Sequence, residues 1–276
     1  MSIMKKLREY LNRPLSFIMF LLIITALTVV FILGYIFIKG VHNISLDLFS
    51  LKYSSSNQSM LPSIINTVYL TALTLLLAVP IGIFSAIYLA EYSRKNSFFV
   101  KIINIANETL SGIPSIVYGL FGFLAFVISK KWGYSLLAGV ITLAIMVLPL
   151  IIRTSQEAML GVDNTFREAS YGLGAGKLRT VFKIVLPSAM PGILSGIILA
   201  IGRIVGETAA LIYTAGTVPE AATKLTSSSR TISVHLYCLL NEGLYTEQAY
   251  ATAVVLIVFV VIINALSNAL AKKIMK

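Results

Sequence analysis

The sequence predicts an all-α membrane protein with six transmembrane helices, and two observations carry this prediction. Only 12% of the 276 residues are charged and the mean hydropathy is +0.89, whereas about one quarter of an ordinary soluble domain is charged. A helix needs about 20 mostly apolar residues to cross the hydrocarbon core, and such runs recur along the chain. The predicted spans cover residues 15–38, 63–90, 111–129, 133–152, 189–214 and 248–271.

The first predicted helix is a retained transmembrane span and not a signal peptide. It follows four basic residues, as a signal peptide would, but its apolar run is too long and no small-x-small cleavage site comes after it. These basic residues are Lys5, Lys6, Arg8 and Arg13. In the second, third and fourth spans, Pro80, Pro114 and Pro149 are each expected to kink the helix.

The distribution of basic residues predicts that both termini are cytoplasmic. With the N-terminus inside, the cytoplasmic segments hold 15 lysines and arginines and the external segments hold six, which is the asymmetry of the positive-inside rule. The net charge of +11 is therefore a signal of orientation, and nucleic-acid binding needs no separate hypothesis. Arg94, Lys95 and Lys276 are among the predicted cytoplasmic charges, whereas Arg230 and His235 are placed outside the bundle on an external loop.

The main cytoplasmic interruption, residues 153–187, contains the stretch TFREASYGLGAGKLRTVFKIVLP. Thr165 followed by Glu168 three residues later is typical of a capping box and predicts a short helix from Phe166 to Tyr171. The three glycines that follow tolerate positive φ and are expected to end that helix. They are Gly172, Gly174 and Gly176, and a second helix is expected to begin near Lys177. Apolar side chains on a short helix outside the membrane indicate a docking surface for another protein.

A phosphate-binding loop is not predicted here, although GLGAGKLRT is superficially similar to one. The Walker A pattern needs a glycine five residues before the Gly-Lys pair and Ser or Thr after the lysine. Those places hold Tyr171 and Leu178, and no predicted strand precedes the loop. We therefore expect this chain to bind no nucleotide cofactor.

The same stretch resembles the EAA loop of ABC importer permeases. That pattern is Glu-Ala-Ala, three residues, Gly, nine residues, Ile, one residue, Leu-Pro, and only Ser170 departs from it, in the place of the second alanine. The resemblance implies the type I importer permease fold (MetI-like), in which this loop forms a coupling helix that inserts into a groove on a separate ATPase subunit. The coupling residues that it implies are Thr165, Phe166, Glu168, Ala169, Gly174, Leu186 and Pro187.

Three further stretches are similar to phosphate importer permeases of the PstA type: GIPSIVYGLFG from residue 112, GRIVGETAAL from residue 202 and AYATAVVLIVFVVIINALS from residue 249. The resemblance implies a bacterial plasma membrane protein with a sister permease in a heterodimer, an ATPase dimer that binds ATP and magnesium, and an extracytoplasmic phosphate-binding protein. It also divides the chain into an N-terminal tail, first helix and external loop (1–61), an importer transmembrane domain (62–271) and a cytoplasmic tail (272–276).

Arg203 and Glu207 are the candidate substrate-pathway residues of the fifth span. They stand four residues apart, hence on one helix face, and a charge at mid-membrane costs about 2.5–3.5 kcal/mol, so such residues usually serve a function. The arginine fork matches phosphate oxygens, and Glu207 is expected to neutralise Arg203 while the site is empty. The alternative is an ion pair that only fixes packing. The resemblance implicates both residues in phosphate passage, together with Arg153, which is otherwise a topology charge or a snorkelling anchor.

Glycine pairs in the fifth span, Gly192/Gly196 and Gly202/Gly206, allow helices to approach closely in lipid and are expected to face the sister permease, unless they only add flexibility around Pro191. Another class of function, a membrane-bound enzyme or respiratory subunit, would need histidine or acid clusters inside the spans. Glu207 is the only acid in the predicted spans and none contains histidine, so we expect no catalytic or metal site. An importer permease for another oxyanion or an amino acid stays an alternative, because the EAA loop reports only the coupling machinery.

Overall fold

The computed structural model describes residues 2–93 and 97–274, so Arg94, Lys95 and Lys276 lie outside the described residues. Every regular element in these two ranges is helical. The α-helices are α1 (Ser2–Val41), α2 (Leu61–Ile87), α3 (Phe98–Gly112), α4 (Ser115–Gly122), α5 (Leu136–Leu160), α6 (Asn164–Gly172), α7 (Lys177–Thr180), α8 (Leu186–Val205), α9 (Ala209–Thr214), α10 (Ile232–Glu242) and α11 (Thr246–Ile274). Wider π-helical turns extend α2 (Tyr88–Tyr92) and α4 (Phe123–Ser129) and join α7 to α8 (Val181–Val185).

Five helical segments are long and apolar enough to cross a membrane, and a sixth span results when one bent pair of helices is counted as a unit. The five are Phe17–Val41, Leu61–Tyr92, Leu136–Leu160, Lys177–Val205 and Thr246–Lys273. The bent pair is α3 with α4 and its π turn, and its two parts meet at 101°. The prediction of an all-α membrane protein is therefore confirmed, and the predicted six spans are reached when the bent pair counts as one.

Pro114 explains the bend between α3 and α4. The residue before a proline is pushed out of the α region, and Ile113 accordingly has φ −71° and ψ 130°. Pro114 itself has ψ 142°, so the chain leaves α3 and restarts as α4. The sequence placed a kink here, but it did not predict that an amphipathic helix, α3, would precede it.

The centre of the bundle is α5, which packs along α2 and α8 and also contacts α3, α4 and α9. Its buried side chains include Leu143, Met146 and Ile151, which join Leu70 of α2 and Ala200 of α8 in the main apolar core. Because α5 is surrounded on most sides, its position fixes where α2 and α8 can lie.

The glycines Gly192 and Gly196 serve the contact between α8 and α5 within this chain. A Cβ atom added to Gly192 would lie 2.6 Å from Cβ of Ala158, and one added to Gly196 would lie 2.6 Å from Cβ of Thr154. The expectation that this pair faces a sister subunit is therefore wrong, because α5 occupies that space. Gly202, in contrast, has nothing within 4 Å of the position that a Cβ would take.

The first helix, α1, lies at the edge of the bundle. It packs on α11 near one end, where Gly40 is buried against the backbone of Tyr250 and the rings of Tyr35 and Tyr250 meet edge to face at 6.0 Å. No residue of its most apolar window is buried inside the chain. Most of the span from Phe17 onward is thus available to lipid or to another subunit.

The end of the bundle opposite α6 is covered by residues 46–60 and 216–243, which we name the distal cap. Asn66 of α2 fastens it: its Nδ2 donates to the carbonyls of Glu220 (2.9 Å) and Arg230 (3.2 Å), and its Oδ1 accepts from Ala222 N (2.8 Å). Thr67 Oγ1 also accepts from the amide of residue 232 at 3.0 Å. Two neighbouring polar residues of α2 therefore hold a loop that comes about 160 positions later.

Arg230 and His235, which were expected outside the bundle on an external loop, lie in the distal cap and are both buried there. Arg230 is 4% exposed and His235 is fully buried. The guanidinium carbon of Arg230 lies 4.8 Å from the ring centroid of Tyr53, and the His235 ring meets the same tyrosine edge to face at 6.4 Å. These side chains pack in the cap because Asn66 and the loop around Tyr53 enclose them.

Candidate functional site

The predicted coupling helix exists as α6 but starts earlier than expected. Its N-cap is Asp163, whose Oδ1 accepts from the backbone N of Thr165 (2.9 Å) and from its hydroxyl (3.0 Å). The predicted capping box with Thr165 as N-cap is therefore wrong. A carboxylate both accepts the free amide and complements the positive end of the helix, and the two hydrogen bonds from Thr165 lower the pKa of Asp163.

The glycines after α6 have three different roles. Gly172 is still helical, Gly176 precedes α7 with φ −73°, and only Gly174 has a positive φ, +81°. Gly174 N donates to the Tyr171 carbonyl (2.9 Å) and Ala175 N to the Ser170 carbonyl (3.1 Å), which closes the turn. Of these three glycines, only Gly174 therefore has a backbone conformation that favours glycine, and it is the glycine of the EAA pattern.

Ser170, the departure from the EAA pattern, links the two arms of the loop. Its hydroxyl lies 2.9 Å from the hydroxyl of Thr180 of α7, and both residues are buried. Thr180 also donates to the carbonyl of Gly176 (3.2 Å). A hydrogen-bonded serine therefore replaces the alanine without leaving a buried polar group unpaired.

The outer surface of α6 carries four of the predicted coupling residues. Thr165, Phe166, Glu168 and Ala169 are exposed, and Phe166 retains 55% of its surface. A groove of about 380 Å³ runs between α6 and the π turn that leads into α8, with Leu173, Arg179 and Lys183 among its walls. Leu186 and Pro187 are separate from this surface.

Those last two predicted coupling residues begin α8, where Leu186 packs against a buried apolar cluster. They shape the path from the loop into the membrane and do not line the groove beside α6.

Arg203 lies in a second groove of about 930 Å³, formed by α5, α8 and α11. The groove has a polar lining at several points, which sequence reasoning did not identify. The polar side chains are Thr154 and Glu157 of α5, Ser195 and Arg203 of α8, and Asn264 and Asn268 of α11. Hydroxyl and amide groups beside a half-buried guanidinium can bind an anion from several directions.

Glu207 does not pair with Arg203, contrary to the expectation of one shared helix face. The helix α8 ends at Val205, and Glu207 lies in the break before α9. Its Oε1 accepts from the backbone N of Thr208 (3.2 Å) and of Ala210 (3.1 Å), so the carboxylate caps α9. The predicted fifth span, which ran unbroken to residue 214, was therefore too long.

Arg153 does not share the groove of Arg203. It forms an ion pair of 2.9 Å with Glu157, one turn further along α5, and both side chains are exposed. This pair lines a smaller groove of about 210 Å³ between α3 and α5, together with Asn104 and Glu108. Glu157 borders both grooves, and the sequence analysis missed it because the predicted fourth span stopped at residue 152 whereas α5 continues to Leu160.

The sequence matches the family described as the binding-protein-dependent transport system inner membrane component, over residues 78–276. The chain belongs to this family. It is 32% identical over 259 residues to the Probable ABC transporter permease protein YqgI of Bacillus subtilis (strain 168), covering 87% of this chain and 88% of that protein. It is 34% identical over 240 residues to the Phosphate transport system permease protein PstA of Yersinia pestis, covering 85% and 81%. The predicted resemblance to PstA-type permeases is confirmed.

Solved structures agree with the fold of this permease family. A bacterial alginate ABC transporter, in complex with an alginate pentasaccharide-bound periplasmic protein, superposes with a TM-score of 0.68 over 93% of this chain and 95% of that one at 17% identity. The inward-facing MetNI methionine ABC transporter gives a TM-score of 0.59 over 78% and 94%, also at 17% identity. The chain is thus a multi-pass membrane permease with the type I importer fold.

Proposed function

We propose that this permease is a transmembrane subunit of an ATP-driven importer that moves inorganic phosphate inward by alternating access. The observation that carries this proposal is the position of Arg203 in a polar groove between three membrane helices. Among the residues that the structure describes, the ion pairs are Arg153–Glu157 and Arg167–Glu91. The Arg203 guanidinium therefore has no carboxylate within 4 Å, and its donors suit the oxygens of a phosphate. The PstA proteins among its relatives support the same substrate.

The energy source in this proposal is a separate ATPase dimer that holds ATP and magnesium. The exposed surface of α6 inserts into a groove on that subunit, with Phe166, Glu168 and Ala169 as its contacts. Both termini and α6 lie in the cytoplasm, since the positive-inside rule gives that orientation. A sister permease completes the membrane core, as a heterodimer, and an extracytoplasmic phosphate-binding protein delivers the substrate at the distal cap.

A different substrate is the second candidate, because the fold does not select one. Permeases of the same fold serve transporters described for alginate and for methionine. The groove of Arg203 is also lined by Asn264 and Asn268, whose amides bind anions and neutral polar groups alike. Another oxyanion or an amino acid is thus the alternative that a transport assay must separate from phosphate.

The test is uptake of radiolabelled phosphate by the complete transporter in proteoliposomes, with sulfate and amino acids as competing substrates. Arg203→Gln and Arg203→Ala are expected to abolish phosphate uptake while the complex still assembles. Lys130→Gln is the matched control, because it also removes one positive charge but lies at an exposed turn. It is expected to take up phosphate as the wild type does. Normal uptake by the Arg203 variants would remove the pathway role, and uptake of another substrate in place of phosphate would favour the alternative.

Coupling is tested by substitutions on α6 and its turn. Glu168→Ala removes a charge from the docking surface, and Gly174→Ala forces a side chain into a left-handed conformation, since φ is +81° there. Both are expected to weaken transport-linked ATP hydrolysis. Gly172→Ala is the control, because Gly172 is helical and its added methyl group would meet nothing within 4 Å. Unchanged transport-linked hydrolysis in both test variants would argue against docking through this loop.

A further inference from the structure

The inner end of α2 is held by basic residues from both arms of the coupling loop. From α6, Arg167 donates through Nη2 (2.7 Å) and Nε (3.1 Å) to Oε1 of Glu91. From α7, the ammonium of Lys177 lies 4.8 Å from the ring centroid of Tyr92. Glu91 and Tyr92 are neighbours in the π turn that ends α2, so two successive residues of one span are contacted by the two sides of the loop.

Arg167 joins three elements through one guanidinium. Besides Glu91, its Nη2 donates to the carbonyl of Met159 (2.8 Å) at the end of α5, and its Nη1 donates to the carbonyl of Val162 (2.7 Å). Nη1 also reaches Oδ1 of Asn164 at 3.3 Å. The planar fork of arginine permits several donors to act at once, which a lysine could not reproduce.

The Arg167–Glu91 ion pair is largely shielded from solvent, whereas Arg153–Glu157, the other ion pair among the described residues, is exposed. The side chains of Arg167 and Glu91 are 14% and 6% exposed, whereas those of Arg153 and Glu157 are 58% and 63% exposed. A partly buried pair is screened less by water and salt than an exposed one. Loss of either partner leaves the other charge without its counter-ion in a poorly hydrated position.

An apolar cluster beneath the ion pair joins the same elements. Ala86 and Ile87 of α2 pack with Met159 of α5 and with Val181 and Val185 of the turn between α7 and α8. The helices α5 and α8 are connected to α6 along the chain, but α2 is not: Glu91 and Arg167 are 76 residues apart. A displacement of α6 can therefore reach α2 only through noncovalent contacts, of which the ion pair is the direct one.

We propose that the Arg167–Glu91 ion pair is a positioning contact that transmits the displacement of α6 to α2, so that α2 moves together with α5 and α8. This inference rests on the proposed coupling function of α6. Glu91 acts through Arg167 and does not touch the ATPase or the substrate. Removal of the pair leaves docking of α6 intact and allows α2 to lag behind when nucleotide binds.

The experiment uses the complete transporter in nanodiscs, with spin labels at Tyr88, in the π turn that extends α2, and at Leu160 of α5. Both residues are exposed, and Cys238 is replaced by serine. The distance between the labels is measured by pulsed electron paramagnetic resonance in the nucleotide-free and ATP-bound states. In the wild type this distance is expected to stay constant, because the two helix ends move as one body. In Glu91→Gln and Arg167→Gln it is expected to change or broaden between the two states.

The functional readout is phosphate transported per ATP hydrolysed. Each single variant is expected to lower this ratio below that of the wild type, and the double variant is expected to add little to either single change. Arg167→Lys keeps the charge but loses the planar fork of donors. Its transport ratio is expected to lie between those of the wild type and Arg167→Gln, and it replaces Arg167→Gln in the test if that variant does not assemble. Lys101→Gln, an exposed charge on α3, is the control.

An unchanged label distance and an unchanged transport ratio in Glu91→Gln would overturn the inference. Failure of the proposed function gives a different pattern: the wild-type complex itself would transport no phosphate, while the distance between the labels would still report whether α2 follows α5 when nucleotide binds. If the wild type transports phosphate and Glu91→Gln transports less phosphate per ATP hydrolysed, the result supports both the proposed function and the role of the ion pair.

Discussion

The burial of His235 in the distal cap predicts that the protein loses stability in mild acid. His235 is fully buried against Tyr53, with Arg230 beside it and Cys238 one turn further along α10. Burial, and then the positive charge of Arg230, lower the pKa of His235 from 6.5 to about 3. Replacement of this histidine by phenylalanine tests the argument, since phenylalanine keeps an aromatic side chain at this position and cannot be protonated.

The direction follows from the two pKa values. Below pH 6.5 the unfolded chain takes up a proton that the folded His235 does not, so the free energy of unfolding falls as the pH is lowered from about 6.5 towards 3. One pH unit in this window corresponds to about 1.4 kcal/mol. Lowering the pH from 6.5 to 5 therefore costs the wild type about 2 kcal/mol, and His235→Phe is expected to lack this loss.

The assay is thermal denaturation of the purified protein in detergent at pH 7.5 and pH 5, read by tryptophan fluorescence and by size-exclusion chromatography. His42→Phe is the matched control, because His42 is exposed, and it is expected to behave as the wild type does. If the melting temperatures of wild type and His235→Phe fall by the same amount between pH 7.5 and pH 5, a buried neutral histidine does not account for the acid sensitivity.

Two further substitutions test the helix contacts that position the groove. Gly196→Ala is expected to destabilise the bundle by about 1–3 kcal/mol through overpacking against α5, measured as a lower melting temperature, whereas Gly202→Ala, which has open space, is expected to cost less; equal effects would refute the close contact. Glu207→Ala is expected to cost about 0.5–2 kcal/mol because α9 loses its cap, and Glu207→Gln, which keeps an acceptor oxygen, is expected to retain most of the stability. A Glu207→Ala protein as stable as the wild type would show that the cap is unimportant.

The spans were predictable because hydropathy responds to any stretch that must face lipid, whatever its partners. Their ends were harder to predict. The helix of the predicted fourth span, α5, continues past Arg153 to Leu160, since an ion pair such as Arg153–Glu157 is compatible with a helix that leaves the membrane. The predicted fifth span is broken after Val205, where α8 ends, and the carboxylate of Glu207 accepts from the backbone amide of Ala210 in α9.

The distal cap and the ion pair at the base of α2 show what sequence pattern alone could not provide. Arg230 and His235 look like loop residues, and their burial depends on Asn66, more than 150 positions away. Glu91 and Arg167 carry no local signal of pairing, because the helices that bring them together, α2 and α6, are separated by three others in the chain. Long-range contacts of this kind follow from packing and not from periodicity.

The peripheral attachment of α1 has a consequence for how this chain can vary. Its contact with the rest of the molecule is concentrated near Gly40 and Tyr250, and the family match begins only at residue 78. The helices from α2 onward enclose a core of their own, so changes along most of α1 leave that core untouched. Substitutions along most of α1 are therefore expected to change how this helix meets lipid or a neighbouring subunit, while the packing of the core behind it stays the same.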